Sequence, residues 1–216
     1  MRDSDVDPNR LNWAKGNGLL PAIVQHWNSG EVLMLGYMNA AALAQTQAAR
    51  RVTFYSRSRR RLWTKGESSG HVLWLKSIHV DCDGDTLLVQ AEPRGPTCHR
   101  GTSSCFGAAV QPPLGFLAKL DALVAHRHAE RPEGSYTTSL FDGGIRRIAQ
   151  KVGEEGVETA LAAVAQDNDE LLGEAADLLF HLTVALRARE LSLTDVAHVL
   201  AERHASAASH IGGAEA

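Results

Sequence analysis

The chain is poor in cysteine, in aromatics and in long apolar runs. Three cysteines in 216 residues argue against a disulfide framework, because an odd count leaves a thiol outside any pair. No stretch of about 18 uninterrupted apolar residues occurs, so no transmembrane helix and no membrane partner are expected. The opening MRDSDVDPNR lacks the basic-then-apolar layout of a secretory leader, which points to a cytoplasmic location. No internal repeat is visible.

What remains is a globular composition, 44% hydrophobic and 22% charged, long enough for one or two domains with a sizeable core. The net charge of −3 hides an asymmetry. Residues 1–112 carry 13 Lys/Arg against 9 Asp/Glu, and residues 113–216 carry 9 against 16. A basic half suits phosphate ligands and an acidic half suits cations, so two modules of different chemistry are expected.

The apolar pattern changes at the same place. From 19 to 110 the period is near two, with strand-like segments LLPAIVQHW, EVLMLGYM, RVTFYSRS, LWTKG, HVLWLKSIHVDC and DTLLVQAEP. One Ala-rich helix, 39–50, interrupts them, with Asn39 as its N-cap. GAAVQPPLG, 107–115, reads as a linker, since adjacent prolines between glycines stop regular structure. Beyond it four helices are expected. One of them carries Ile145, Ile148, Val152, Ala160, Leu161 and Val164 at helical spacing. Asp167 with Glu170, and Ser192 with Asp195, have capping-box spacing. ASAASHIGGAEA, the last twelve residues, is small and polar and reads as a frayed tail. The predicted layout is an N-terminal extension over 1–18, a mixed α/β domain over 19–110, a linker at 111–114, an all-α bundle over 115–205, and a flexible tail over 206–216.

Two clusters carry chemistry. In SIHVDCDGDTLLV, residues 77–89, three aspartates alternate with other residues. A helical calcium loop needs Gly at its sixth position, where Thr86 stands here, and flanking helices rather than strands. A plain acidic turn is one remaining reading. The other is an extended segment whose pleat aims Asp81, Asp83 and Asp85 to one face, an oxygen site suited to magnesium, and Cys82 to the opposite face. Cys82, Cys98 and Cys105 all sit in polar, turn-like contexts. Three thiolates suit zinc with a fourth position open to water, and His99 is the one obvious candidate to close that position. In the acidic half, Glu154, Glu155 and Glu158 cluster on one helix, and Glu170, Glu174, Asp177 and His181 stripe the next. Like charges at such spacings repel, so a shared cation is expected if the two helices pair antiparallel. A solvated acidic face is the alternative.

The run VTFYSRSRRRLWTKGESSGH, followed by DCDGDTLLV and PTCHRGTSSCF, resembles the phosphoribosyl-AMP cyclohydrolases of histidine biosynthesis over about residues 19–106. The resemblance implies hydrolytic opening of an adenine ring by water activated at zinc. It assigns Cys82, Cys98 and Cys105 to zinc and Asp81, Asp83 and Asp85 to magnesium. It also implies a homodimer in which Cys82 of one chain meets the other two cysteines of its partner. His99 and His71 become candidates for proton transfer, with Lys65 as a further catalytic candidate. The basic run around Arg57, Arg59, Arg60 and Arg61 reads as a solvated face, a nucleic-acid patch or a phosphate site. A phosphorylated substrate gives it the more economical use. Ser56, Arg57, Ser58 and Arg59 are then substrate-binding candidates, with Trp63 able to stack on a base or to join the core. No nucleic-acid reader motif accompanies them.

The pattern E-E-x-x-E followed by E-x-x-D is similar to the all-helical nucleotide pyrophosphatases of MazG type. The longer context YTTSLFDGGIRRIAQKVGEEGVETALAA and ELLGEAADLLFHLTVALRARELSL resembles phosphoribosyl-ATP pyrophosphatase over about 114–204. This implies cleavage of phosphoribosyl-ATP to phosphoribosyl-AMP and pyrophosphate. Glu154, Glu155, Glu158, Glu174 and Asp177 are candidate magnesium ligands, and Arg147 and Lys151 candidate neutralisers of the polyphosphate. Together the two halves imply a bifunctional hydrolase. The rival reading is a zinc-containing RNA-binding module fused to a general nucleoside triphosphate pyrophosphatase.

Overall fold

The computed structural model describes residues 5–107 and 112–211, the last six by their backbone only. Two compact units meet in sequence at Gly115 and Phe116. The residues 108–111, which include part of the expected linker, lie outside the described residues.

The first unit is built on a sheet of four strands: β1 (Leu20–His26), β2 (Val32–Met38), β5 (Leu73–Val80) and β6 (Leu87–Pro93), in the order β2-β1-β6-β5. β1 runs parallel to β6, and the other pairings are antiparallel. The period-two pattern explains which face is covered. Leu20, Ala22 and Val24 of β1 and Leu87, Val89 and Ala91 of β6 are all buried, and Ala22 pairs with Leu87 and Val24 with Val89. α1 (Ala40–Ala49) and the hairpin β3 (Thr53–Ser56) and β4 (Arg61–Thr64) supply Ala42, Leu43 and Phe54 to the same core. Asn39 caps α1, its side chain accepting from the Ala42 N–H at 2.8 Å.

The stretch expected as an N-terminal extension is part of this unit. Leu11 joins its core, and the Asn12 N–H donates to the Gly84 carbonyl at 2.8 Å.

The second unit contains α2 (Gly115–Glu130), α3 (Tyr136–Asp142), α4 (Gly144–Ala165), α5 (Asn168–Arg187) and α6 (Leu193–Ile211). That is one helix more than the sequence suggests: α3 is seven residues long, too short to show a period of its own. α6 reaches Ile211, into the stretch expected as a tail; residues 212–216 lie outside the described residues. α4 and α5 pack closely and are joined by only Gln166 and Asp167. Asp167 and Glu170 form a full capping box. Asp121 of α2 accepts from Arg187 and from the Leu193 N–H, both at 3.3 Å, tying α2 to the end of α5 and the start of α6. The core is small: Val124, Leu140, Phe141, Ile148 and Val184. Of the expected α4 stripe, Ile148 is buried, whereas Ile145, Leu161 and Val164 are exposed. No helix among the described residues is long and apolar enough to cross a membrane.

Candidate active sites

The sheet unit holds a pocket of about 540 Å³ lined by Trp63, Lys65, His71, Cys98, His99 and Cys105 among others. Four segments converge there: β4, the turn after it, the 94–107 loop from Pro96 to Cys105, and β2 through Met34. Gly66 makes the turn possible. Its φ is +84°, and a Cβ there would stand 2.5 Å from the His71 carbonyl, so no other residue fits without moving the loop that carries His71. Cys98 and Cys105 line the same pocket, and their thiols shift in opposite directions. The Arg100 backbone N–H holds the Cys98 thiol below its usual range. Burial, and then the neighbouring Cys98 charge, pushes Cys105 up. His99 Nδ1 lies 3.9 Å from the Cys98 sulfur. Lys65 is buried beside them, and burial lowers its pKa. Two sulfur donors with imidazoles at hand suit a zinc-type ion, but the third cysteine is not there.

Cys82 opens on a different cleft of about 640 Å³, lined by Asp5, Arg10, His79, Asp81, Asp83 and others. The extended-strand reading of DCDGD is wrong. β5 ends at Val80 and β6 begins at Leu87, so the motif is the turn between them. The Asp81 Oδ1 accepts the N–H groups of Asp85 and Thr86 at 2.9 and 3.0 Å, and Gly84 takes φ +76°. Cys82 is therefore not set on a face opposite the aspartates; it lines the same cleft as Asp81 and Asp83. Convergence survives for another reason: the turn, not the pleat, brings oxygens of Asp81, Asp83 and Asp85 within 4.8 Å of one another. Lys15 Nζ sits between Asp83 and Asp85 at 2.5 Å from each and holds both carboxyls below their usual range. An ammonium group thus occupies a place that an oxygen-seeking cation could take.

The arginine-rich segment stands apart from the pocket. Ser56, Arg57, Ser58 and Arg59 lie at the tip of the β3–β4 hairpin and do not line it, whereas Trp63 does. Arg57 stacks over the Tyr37 ring at 3.8 Å. Trp63 also packs on Phe54 and the core, the second of its two expected uses.

In the helical unit, α4 and α5 bring Glu155, Glu158 and Glu174 within 4.8 Å of one another, an oxygen-only donor set of the kind hard divalent cations take. Partial desolvation beside the cluster, followed by the charges of Glu155 and Glu174, pushes the carboxyl of exposed Glu158 up. Lys151 reaches Glu155 at 2.7 Å and Glu154 at 3.0 Å, and holds both carboxyls down. Two expected ligands fall outside the triad. Glu154 faces Lys151 and Gln150, and Asp177 is exposed and absent from the cluster. Arg147 is exposed on α4; its charge reaches Glu154.

Sequence reasoning missed Lys15, Tyr136 and the use of His181. No local signal could reveal Lys15, whose partner Asp83 lies 68 residues away and whose other partner, Asp85, lies beyond it. His181 offered one: an ionisable residue in register with an acidic stripe.

The residues 34–107 match the family model for phosphoribosyl-AMP cyclohydrolase, and residues 117–204 match the model for phosphoribosyl-ATP pyrophosphohydrolase. The histidine biosynthesis bifunctional protein HisIE of Xylella fastidiosa is 67% identical over 201 residues, covering 93% of this chain and 96% of that protein. The HisIE proteins of Xanthomonas axonopodis pv. citri and Salmonella typhimurium are 68% and 59% identical, each over 90% of this chain and 93% and 95% of theirs. With a β-rich unit carrying the cysteine pocket, a helical unit carrying the acidic triad, and both family models in that order, the chain belongs to the HisIE family of bifunctional histidine-biosynthesis enzymes.

Proposed function

We propose that the helical unit hydrolyses phosphoribosyl-ATP to phosphoribosyl-AMP and pyrophosphate, and that the sheet unit then opens the adenine ring of phosphoribosyl-AMP by hydrolysis. The observation that carries this reading is that sulfur and imidazole donors line a pocket of the sheet unit, which has an aspartate cluster of its own, whereas the cluster of the helical unit is carboxylates alone. The catalytic order is the reverse of the chain order.

In the sheet unit, Cys98 and Cys105 hold zinc with Cys82 of a second copy, and Asp81, Asp83 and Asp85 hold magnesium. Zinc supplies Lewis-acid activation of water at neutral pH, and magnesium supplies positive charge beside phosphate oxygens. His99 and His71 move protons at the reacting ring, and buried Lys65 adds a cation at the pocket wall. Trp63 stacks on the base. Ser56, Arg57, Ser58 and Arg59 take the phosphates from the hairpin tip. In the helical unit, Glu155, Glu158 and Glu174 hold magnesium, with Glu154 and Asp177 around them. Lys151 and Arg147 face the polyphosphate.

Cys82 lies outside the pocket of Cys98 and Cys105, which favours a homodimer over a single-chain zinc site. In the helical unit, exposed Val157, Leu161, Val164 and Leu172 on a unit with a small core favour self-association there too. The reading needs no nucleic-acid partner and suits a cytoplasmic enzyme.

Mixing two inactive variants tests the shared site. Cys82→Ser and Cys98→Ser should each abolish ring opening. After exchange of subunits, each mixed dimer keeps one intact site of two, and activity should return to about a quarter of wild type by random pairing of a two-fold dimer. No recovery in dimers shown to be mixed would sink the shared-zinc reading.

A further inference from the structure

His181 and Tyr136 are not used by the chemistry above. His181 is 3% exposed on α5, and Tyr136 opens α3. The imidazole Nδ1 lies 2.9 Å from the Asp177 carbonyl oxygen, one turn back on the same helix, and Nε2 lies 3.0 Å from the Tyr136 hydroxyl. A carbonyl can only accept, so Nδ1 carries the proton and donates to Asp177; on a neutral ring Nε2 then accepts from the tyrosine O–H. Both ring nitrogens are then satisfied. Rotating the ring would leave buried polar groups unpaired, which is costly. The Tyr136 and Phe180 rings meet the imidazole at 6.0 and 5.1 Å between centroids and pack against it.

In that fixed orientation Nδ1, whose proton is bonded to the Asp177 carbonyl, stands 3.6 Å from Glu155 Oε1, outside hydrogen-bond reach but close enough for the electropositive edge of the ring to attract the carboxylate. Glu155 is 5% exposed, and the same oxygen receives Lys151 at 2.7 Å. It belongs to the triad with Glu158 and Glu174, whose like charges push it away. Lys151 and His181 oppose that push from two helices.

We propose that Tyr136 and His181 are positioning residues of the pyrophosphohydrolase site: the tyrosine hydroxyl sets the rotation and tautomer of the imidazole, and the imidazole N–H edge holds the Glu155 carboxylate toward Glu158 and Glu174. α3 is thereby coupled to the metal-binding pair α4 and α5. The inference rests on the reading of Glu155 as a metal ligand. Partners of this kind, one bond removed from the metal, commonly matter tenfold or more for metal affinity.

The test uses the full chain and its Tyr136→Phe, His181→Asn and Glu155→Gln variants. Mn²⁺ binding is titrated by electron paramagnetic resonance, and the Mg²⁺ dependence of pyrophosphate release is measured on phosphoribosyl-ATP. Far-ultraviolet circular dichroism reports that the helical unit is folded, and ring opening of supplied phosphoribosyl-AMP that the sheet unit is. The Mn²⁺ site lost in Glu155→Gln defines the site in question. Tyr136→Phe removes one hydrogen bond and keeps the ring, so it should weaken that site by about fivefold. Its pyrophosphate release at saturating Mg²⁺ should stay near wild type, and ring opening should not change. His181→Asn should weaken the site by about tenfold or more. Wild-type Mn²⁺ affinity in Tyr136→Phe, with the site gone in Glu155→Gln, would show that the pair only packs and would overturn the proposal. If Glu155→Gln keeps the site, the metal-ligand reading itself fails. Should His181→Asn not fold, Tyr136→Phe decides alone.

Discussion

At the scale of single residues, each acidic cluster carries its own lysine. Lys15 bridges Asp83 and Asp85, and Lys151 bridges Glu154 and Glu155. Each lysine offsets the repulsion that the carboxylates would otherwise feel, and under the proposed metal-binding reading each would compete with a metal for the same oxygens. Lys15→Met should therefore lower the Mg²⁺ concentration needed for ring opening; an unchanged or raised requirement would contradict the competition. The variant should also change the acid limb of stability. Lys15 depresses the folded-state pKa of Asp83 and Asp85. Their stabilisation is present above the unfolded value of about 3.9 and is lost as pH falls through the folded values. Urea midpoints compared at pH 7 and pH 3 should fall more in wild type than in Lys15→Met. The ligand candidates themselves were legible in the sequence, because Cys, Asp and Glu carry their chemistry wherever they sit. Lys15, Tyr136 and the partners of His181 were not, because their roles depend on contacts between distant segments.

At the scale of elements, caps read well and turns read badly. Asn39, the pair Asp167 and Glu170, and the pair Ser192 and Asp195 all make the bonds their spacing implies. A cap is a local event, settled within four residues. The turn at 81–86 was misread because D-x-D-x-D between two apolar runs mimics strand alternation. The deciding facts are that one Asp81 oxygen collects two backbone N–H groups and that Gly84 enters the left-handed region. α3 was missed because Tyr136, Thr137 and Thr138 are weak helix formers, and burial of Leu140 and Phe141 overrides that preference. Asp167 matters beyond its own bonds, since α5 carries Glu174 and His181. Asp167→Ala should cost about 1 kcal/mol and speed amide hydrogen exchange first in the opening turn of α5. Equal acceleration along the whole helix would indicate that the cap does not act locally.

At the scale of the whole molecule, the change in periodicity and charge near residue 112 marked two units, because it records two ways of covering a core. The sheet unit buries alternate residues, whereas the helical unit leaves much of its expected stripe exposed. That difference could not be read from periodicity, which tells which residues share a face and not what covers it. The two sites should be separable by single changes. Cys98→Ser should abolish ring opening and spare pyrophosphate release. Glu158→Gln should do the reverse when phosphoribosyl-AMP is supplied directly. Loss of both activities in either variant would contradict independent sites.

The placement of Cys82 away from Cys98 and Cys105 has a genetic face. Under the shared-zinc reading, an allele with Cys82→Ser and an allele with Cys105→Ser are each null for growth without histidine. Carried together in one cell, they should complement. One allele lacking Cys98 paired with one lacking Cys105 should not, because each chain then brings a broken Cys98–Cys105 half-site and every pairing leaves both sites incomplete.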